Sequence, residues 1–414
     1  VRTVNYSEVL QLLSELAGIP YADLPTATAL TYRGAISRWF RKAWEVEYWP
    51  ELTRCDQRYY RAAWAAGTTY TAGSEVYFLG NTGRSVGAYY QALRSMPLTV
   101  SSITRVSATA IVTTSSAHGL VTGDWVTISG ANQTDYNLNT EVTVTGTTTF
   151  TYVVLNSPVT PATGTIKASP NPVDDAGNLC KAWWYPCQAT YSGTPYSAST
   201  TYAVGDVVQY GATGEYYACL QSNAGYLPTD TTIWGLLTPF DKYVGYTQTG
   251  FTAIGDVRDV YTKNPRVLKT YATPDWTLTQ NGVQVPNGPN VVWLEYRTRF
   301  VPLTGSDWAS GTSYAVGDQV LYNSSGSIKN FYTCIQATSS VAPSNTAYWT
   351  IVEIPYLFQP YLVHGAFADV LRMDGQMDKA FQQEKLAEEY LEIEAAKLFN
   401  LQPQQNRMDM SAAY

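Results

Sequence analysis

The 414-residue chain carries a formal net charge of −7, with only 14% charged residues against 14% aromatics, among them 33 Tyr and 12 Trp. Such a length admits about two to four domains with sizeable cores. The acidic balance argues against the basic footprint of a nucleic-acid binder, and no apolar run approaches a membrane span.

Val1 to Gly18 lacks the basic, apolar and cleavage regions of a secretory leader, so a soluble chain without a cleaved leader is expected. A first helix is predicted over residues 5–17. Val9, Leu10, Leu12, Leu13 and Leu16 carry its apolar face, Ser7 can cap its start, and Gly18 before Pro20 can close its end. A second helix runs from about Thr26 to Glu47, with Tyr32, Ile36, Trp39, Phe40, Ala43 and Trp44 at helical spacing and Arg33, Arg38, Arg41 and Lys42 among them. Residues 64–96 hold the first half of a repeat, and residues 98–168 a strand-rich insert. Pro172 with Trp183-Trp184 then resumes the interrupted copy. Residues 190–238 and 306–352 are a second and a third copy. The segment 240–303 between them contains an alternating strand from Val291 to Arg299, expected in a sheet of the main body. Two closing helices, Tyr356 to Arg372 and Gln376 to Asn400, flank Asp374-Gly375. The last one carries Met377, Phe381, Leu386, Tyr390, Ile393 and Leu398, along with Glu384, Glu388, Glu389, Glu392 and Glu394. The basic second helix and the acidic last helix suit each other as neighbours, within one subunit or across a ring. The predicted class is α+β: a helical bundle of N- and C-terminal helices (1–63 and 353–414), a β body (240–303) and several inserted small β modules.

The repeat itself is the strongest signal. Trp308, Tyr314, Gly317-Asp318, Val320, Tyr322, Tyr332, Cys334, Pro343 and Trp349 are matched by Tyr196, Tyr202, Gly205-Asp206, Val208, Tyr210, Tyr217, Cys219, Pro228 and Trp234. Trp64, Tyr70, Gly73-Ser74, Val76, Tyr77, Tyr90 and Ala92 begin a third version. Self-similarity of this kind means one small module used more than once. It also explains Cys219 and Cys334 as core residues of a strand. Cys180 and Cys187 flank Trp183-Trp184, and whether they pair stays open. With His118 and His364 as the only histidines and no Cys-x-x-Cys, neither a metal nor a cofactor is expected. Phosphate-binding, nucleophile-elbow and zinc-protease motifs are all missing, and Asp174-Asp175 reads as a solvated loop pair, so no enzyme is expected.

The repeat resembles small chitin-binding-type carbohydrate-binding modules. That resemblance implies a three-stranded β fold and makes Tyr196, Tyr202, Trp234, Trp308, Tyr314 and Trp349 candidates for stacking on sugar rings, beside a competing use as module core. The segment from His118 through Gly123-Asp124 and Val126 to Tyr152 resembles a small β insert frequent in phage virion proteins, in which His118 reads as a turn or strand-end residue. The frame (1–63, 240–303 and 353–414), with Tyr361, His364, Phe367, Asp369, Leu371, Asp374-Gly375, Met377 and Phe381, resembles head–tail adaptor (neck, connector) proteins of tailed bacteriophages. This second likeness implies a homo-oligomeric ring, commonly dodecameric, in the virion neck. Its partners there are a portal protein and a tail tube or nozzle, with tail fibres also in reach. DNA transits without sequence-specific binding, and the protein is made in the host bacterial cytoplasm. It also implies a portal-docking tail over Leu401, Gln402, Gln404, Gln405, Arg407, Met408, Met410 and Tyr414. A glycan-binding adhesin or tail appendage is the competing class.

Overall fold

The computed structural model describes residues 2–81, 87–267, 272–323 and 329–401. It is an α+β protein in two compact units. One unit gathers Val1–Cys55, Ala253–Arg258 and Glu295–Tyr414, and the other Asp56–Thr252 and Asp259–Leu294. The strand Val291–Thr298 pairs in a three-stranded sheet with Thr53–Tyr59 and Ile254–Tyr261.

In the first unit the strand Thr3–Asn5, paired antiparallel with Glu353–Pro355, leads directly into helix α1, Tyr6–Leu16. Because the strand runs into the helix, the cap falls on Asn5 and not on Ser7. The Asn5 N–H donates to Glu8 Oε1 at 3.2 Å, while Ser7 is buried in the first turn and its N–H donates to Asn330 Oδ1. Gly18, at φ +75°, closes the other end with the Ile19 N–H on the Ser14 carbonyl. Helices α2 (Thr26–Val46), α3 (Gln359–Met373) and α4 (Met377–Leu401) follow. Tyr32, Ile36, Trp39 and Phe40 of α2 share one core with Tyr361, Leu362 and Ala366 of α3 and Ala387 and Leu391 of α4. Leu303, Phe331 and Ile354 belong to that core as well, so the helices do not close a bundle by themselves.

Charge pairing between the helices lies within the chain: Lys42 with Glu388 at 3.1 Å, Arg38 with Asp369 at 2.9 Å, and Arg372 with Glu384. On α4 the buried positions are Ala380, Ala387 and Leu391, while Met377, Phe381 and Ile393 stand more than half exposed. Small residues let α4 lie close on α3, and the larger side chains are left outside.

The second unit holds a seven-stranded antiparallel sheet. Its central strands are Trp125–Ala131, Gly164–Pro170, Leu98–Val106 and Thr109–Thr114, closed around Ile103, Val112, Val126, Ile128 and Phe150. Beside it the first copy of the repeat is completed across the insertion. Trp184 pairs with Ala92, the register that Trp234 holds with Cys219 and Trp349 with Cys334.

One turn recurs four times. In Thr71–Ser74, Val121–Asp124, Ala203–Asp206 and Ala315–Asp318, a glycine at φ +89° to +101° precedes a Ser or Asp whose side chain accepts the N–H three residues back, at 2.7–3.0 Å. Each turn is then locked to a neighbouring strand by a reciprocal pair of backbone bonds, Gly73 and Ser74 with Ala92, Gly123 and Asp124 with Val142, Gly205 and Asp206 with Cys219, Gly317 and Asp318 with Cys334. The positive φ demands glycine and the side-chain acceptor demands Asp or Ser. The copy at Gly123-Asp124 lies in the insert.

Gly365 on α3 faces the Trp39 ring so closely that an added Cβ would lie 2.3 Å from it. Gly365→Ala gains about 1 kcal/mol of helix propensity. Overpacking a filled core costs about 1–3 kcal/mol. Net destabilisation in a denaturant titration, with weaker tryptophan burial, is the expected outcome.

Candidate functional site

The three copies place the same pair of rings at the same place. Trp64 meets Phe78, Tyr196 meets Tyr210 and Trp308 meets Tyr322, each edge-to-face at 5.4–5.5 Å between centroids. Trp64, Tyr196 and Trp308 are half-buried. Their polar atoms, Trp64 Nε1, Tyr196 Oη and Trp308 Nε1, are all enclosed without a hydrogen-bond partner. Leaving a buried donor unpaired costs about 1–3 kcal/mol, and here the same omission occurs in every copy. For Tyr196, desolvation and then the Tyr202 and Tyr210 phenols raise the pKa, so it stays a neutral hydroxyl.

The other predicted stacking residues sit differently. Tyr202, Trp234, Tyr314 and Trp349 are 9% exposed or less. Trp234 Nε1 donates to the Tyr226 carbonyl at 3.0 Å, and Trp349 Nε1 to the Val341 carbonyl at 2.9 Å. Tyr202 Oη accepts the Ser197 N–H and Tyr314 Oη the Ala309 N–H. These four rings pack on Val208 and Cys219, or on Val320 and Cys334, in the two module cores. A ring enclosed on both faces offers no platform to a sugar, so they leave the candidate set. Tyr196 and Trp308 remain, joined by Tyr210 and Tyr322, which sequence reading did not single out as ligand contacts. Their two-residue offset from Val208 and Val320 is the signal that could have found them. In the second copy a shallow cavity of ≈ 440 Å³ adjoins the pair, between Pro195, Tyr196, Gln209, Tyr210 and the Gly211–Gly214 turn.

Leu401 ends α4, and Gln402, Gln404, Gln405, Arg407, Met408, Met410 and Tyr414 lie outside the described residues. His118 is buried. Its Nδ1 accepts the Leu120 N–H at 3.0 Å while Nε2 faces the Gly146 carbonyl, a pairing that holds a turn. Cys180 and Cys187 are free thiols. Burial pushes the Cys180 thiol well up, helped by the Asp124 carboxylate to which it is hydrogen-bonded. Among the described residues no group of three or more His, Cys, Asp or Glu could hold a metal ion, and no helix is long and apolar enough to cross a membrane.

No protein-family model matches the chain, and no curated protein matches it. Among solved structures it is similar to the phage phi92 endosialidase at 14% identity, over 71% of this chain and 47% of that one, with a TM-score of 0.18. The chain thus spans about half of that protein, and a likeness this loose carries no argument about fold or activity.

The enclosed donors separate two tryptophans of one module. Trp308→Phe removes an unpaired N–H and should change stability by about 0.5 kcal/mol or less. Trp349→Phe opens a cavity and strands the Val341 carbonyl, and should cost about 2–4 kcal/mol. Equal losses in parallel denaturant titrations would contradict the assignment of Trp308 to the surface pair.

Proposed function

We propose that the chain is a structural virion protein of a tailed phage, a head-to-tail adaptor assembling as a ring, dodecameric in the commonest form of the family, between portal and tail. The observation that carries this reading is the nested course of the chain. Both ends and one late segment build a single helix-rich unit, while the long middle builds another. An appendage strung with binding modules would instead keep them in series beyond its body. The run Tyr361–Phe381 that resembles adaptor closing helices supplies α3 and the start of α4, with Tyr361, Leu362 and Ala366 in the shared core. The acidic net charge suits a conduit through which DNA passes without being held. Residues Leu401–Tyr414 are the proposed portal-docking segment, and the neck of the virion is the proposed location.

A second reading, glycan binding by the modules, is favoured by the ring pair, its first member half-exposed, that recurs at the same place in every copy. The half-exposed ring face of Trp308 suits stacking on a sugar ring. Single-site affinity would be weak, and a ring of copies would add avidity.

Light-scattering mass of the chain alone and with a candidate portal ring tests the first reading. A discrete ring, or assembly only on the portal, is expected, and virions made without Gln402–Tyr414 should lack tails. A monomer indifferent to portal yet retained on host polysaccharide through Trp308 would transfer the assignment to the adhesin.

A further inference from the structure

Between α1, α2 and the third copy of the repeat opens a cavity of ≈ 700 Å³. Its volume falls within the range of about 300–1,000 Å³ typical of ligand sites. The apolar lining is aliphatic: Leu10, Leu24, Ala29, Leu30 and Leu321, with Leu30 52% exposed on the rim. The polar lining carries Tyr6, Tyr21, Arg33, Lys329 and Asp307. Lys329 is neutralised by Asp307 at 2.8 Å, whereas Arg33 donates to the Gly305 carbonyl at 3.2 Å and has no ion-pair partner among the described residues. Burial raises the pKa of both phenols, so each keeps its proton. At Tyr6 the Arg33 guanidinium pulls the pKa down and the Tyr21 phenol pushes it up, which sets the three polar heads within electrostatic reach of one another. The Tyr21 oxygen accepts the Lys329 N–H, and its own hydrogen stays free to donate. The cavity thus joins an aliphatic wall to one uncancelled positive charge with two neutral donors beside it.

We propose that this cavity binds a single-chain carboxylate of the fatty-acid class, its head on Arg33 with the Tyr6 and Tyr21 hydroxyls and its alkyl chain against the leucines. The charge selects the head group. A guanidinium fork matches a carboxylate in geometry, and one carboxylate cancels the one open charge. A phosphate monoester carries about −1.5 to −2 at neutral pH and would bring charge that nothing in the lining balances. A neutral head would leave Arg33 unpaired. The wall selects the tail. Leucine and alanine give a flexible chain dispersion contact along its length, whereas a flat aromatic ligand would find ring partners only among the polar heads. The site lies wholly within the helix-rich unit, and it rests on neither reading above.

The test titrates the delipidated full chain with dodecanoate, below its micelle concentration, in a calorimeter. Saturable binding at one per chain is expected, with dodecanol and dodecyl phosphate each weaker by about tenfold or more. Arg33→Gln should weaken dodecanoate by about the same factor and leave dodecanol unchanged. Leu30→Asn, on the exposed rim, should weaken both. As a second measurement on the native chain, a diazirine-bearing analogue of dodecanoate should crosslink into residues 6–33 or Leu321. Absence of saturable binding, equal affinity for dodecanol and dodecanoate, an Arg33→Gln chain that binds dodecanoate as the native one does, or crosslinks only elsewhere would overturn the proposal. So would a peptide with C-terminal leucines that binds more tightly than dodecanoate and displaces it, since the groove would then be a protein-docking site. None of these readouts involves portal, so failure of the adaptor reading leaves them untouched.

Discussion

The helix-rich unit depends on one buried guanidinium. The last carbonyls of α2 have no partners within the helix, and Arg297 supplies them. Its Nη1 donates to the Trp44 carbonyl at 2.7 Å and to the Glu47 carbonyl at 3.3 Å, while Nε donates to Asp256 Oδ2 at 3.0 Å. A cation is also what the negative end of a helix favours. Around it Trp44 Nε1 bonds the Thr298 carbonyl, the Thr298 N–H bonds the Leu52 carbonyl, and the Arg299 N–H bonds the Ala253 carbonyl. Three segments far apart in sequence must therefore be in place at once.

A module this small cannot enclose two faces of a sheet, and the copies solve the problem alike. One face keeps the Tyr, Cys and Trp core. The opposite face is covered by something else in the same unit: in the third copy Phe331 and Val352 join the core of Tyr6 and Val9, and in the second Ala218, Leu220 and Leu237 join Leu93 and Tyr191. Leu93, Leu220 and Ile335 are equivalent positions, since each donates its N–H to the carbonyl just before the closing Trp. Leu93 and Leu220 pack together, so the first two copies meet through corresponding residues. Ile335 is 47% exposed, and Thr350 stands where the second copy has the Gly235 against which Leu93 packs. The third copy is thus shaped for solvent where the second is shaped for a neighbour.

Much of this was legible in the sequence. Apolar spacing located all four helices, and the pair Trp183-Trp184 stood out as the place where the first copy resumes, though only the structure sets Trp184 opposite Ala92. What stayed hidden has physical causes. The cap of α1 moved from Ser7 to Asn5 because a strand outside the helical pattern abuts it. The fourth turn, at Gly123-Asp124, locks onto Val142 where the repeats use Cys219 and Cys334, so its kinship lies in backbone bonds that composition does not mark. On α4 the periodic pattern pointed to Phe381 and Ile393, yet Ala380 and Ala387 are buried, since close helix packing selects small residues. Aromatic identity could not separate Trp349 from Trp308, because burial is settled by the fold around each ring.

That last distinction bears on what the modules can do. With one sheet face docked and the other filled by its own core, a module has only its edge left for a ligand. The edge is where Tyr196 and Tyr210, and Trp308 and Tyr322, stand with an unpaired polar atom between them and the core. What that edge offers a ligand is one open ring face, which is too little contact for tight binding by a single copy. Docked modules also hold a fixed direction, unlike modules on tethers, so copies arranged by symmetry would present their edges at fixed spacing. Weak sites held in a fixed array would favour a repeating polymer over a small ligand.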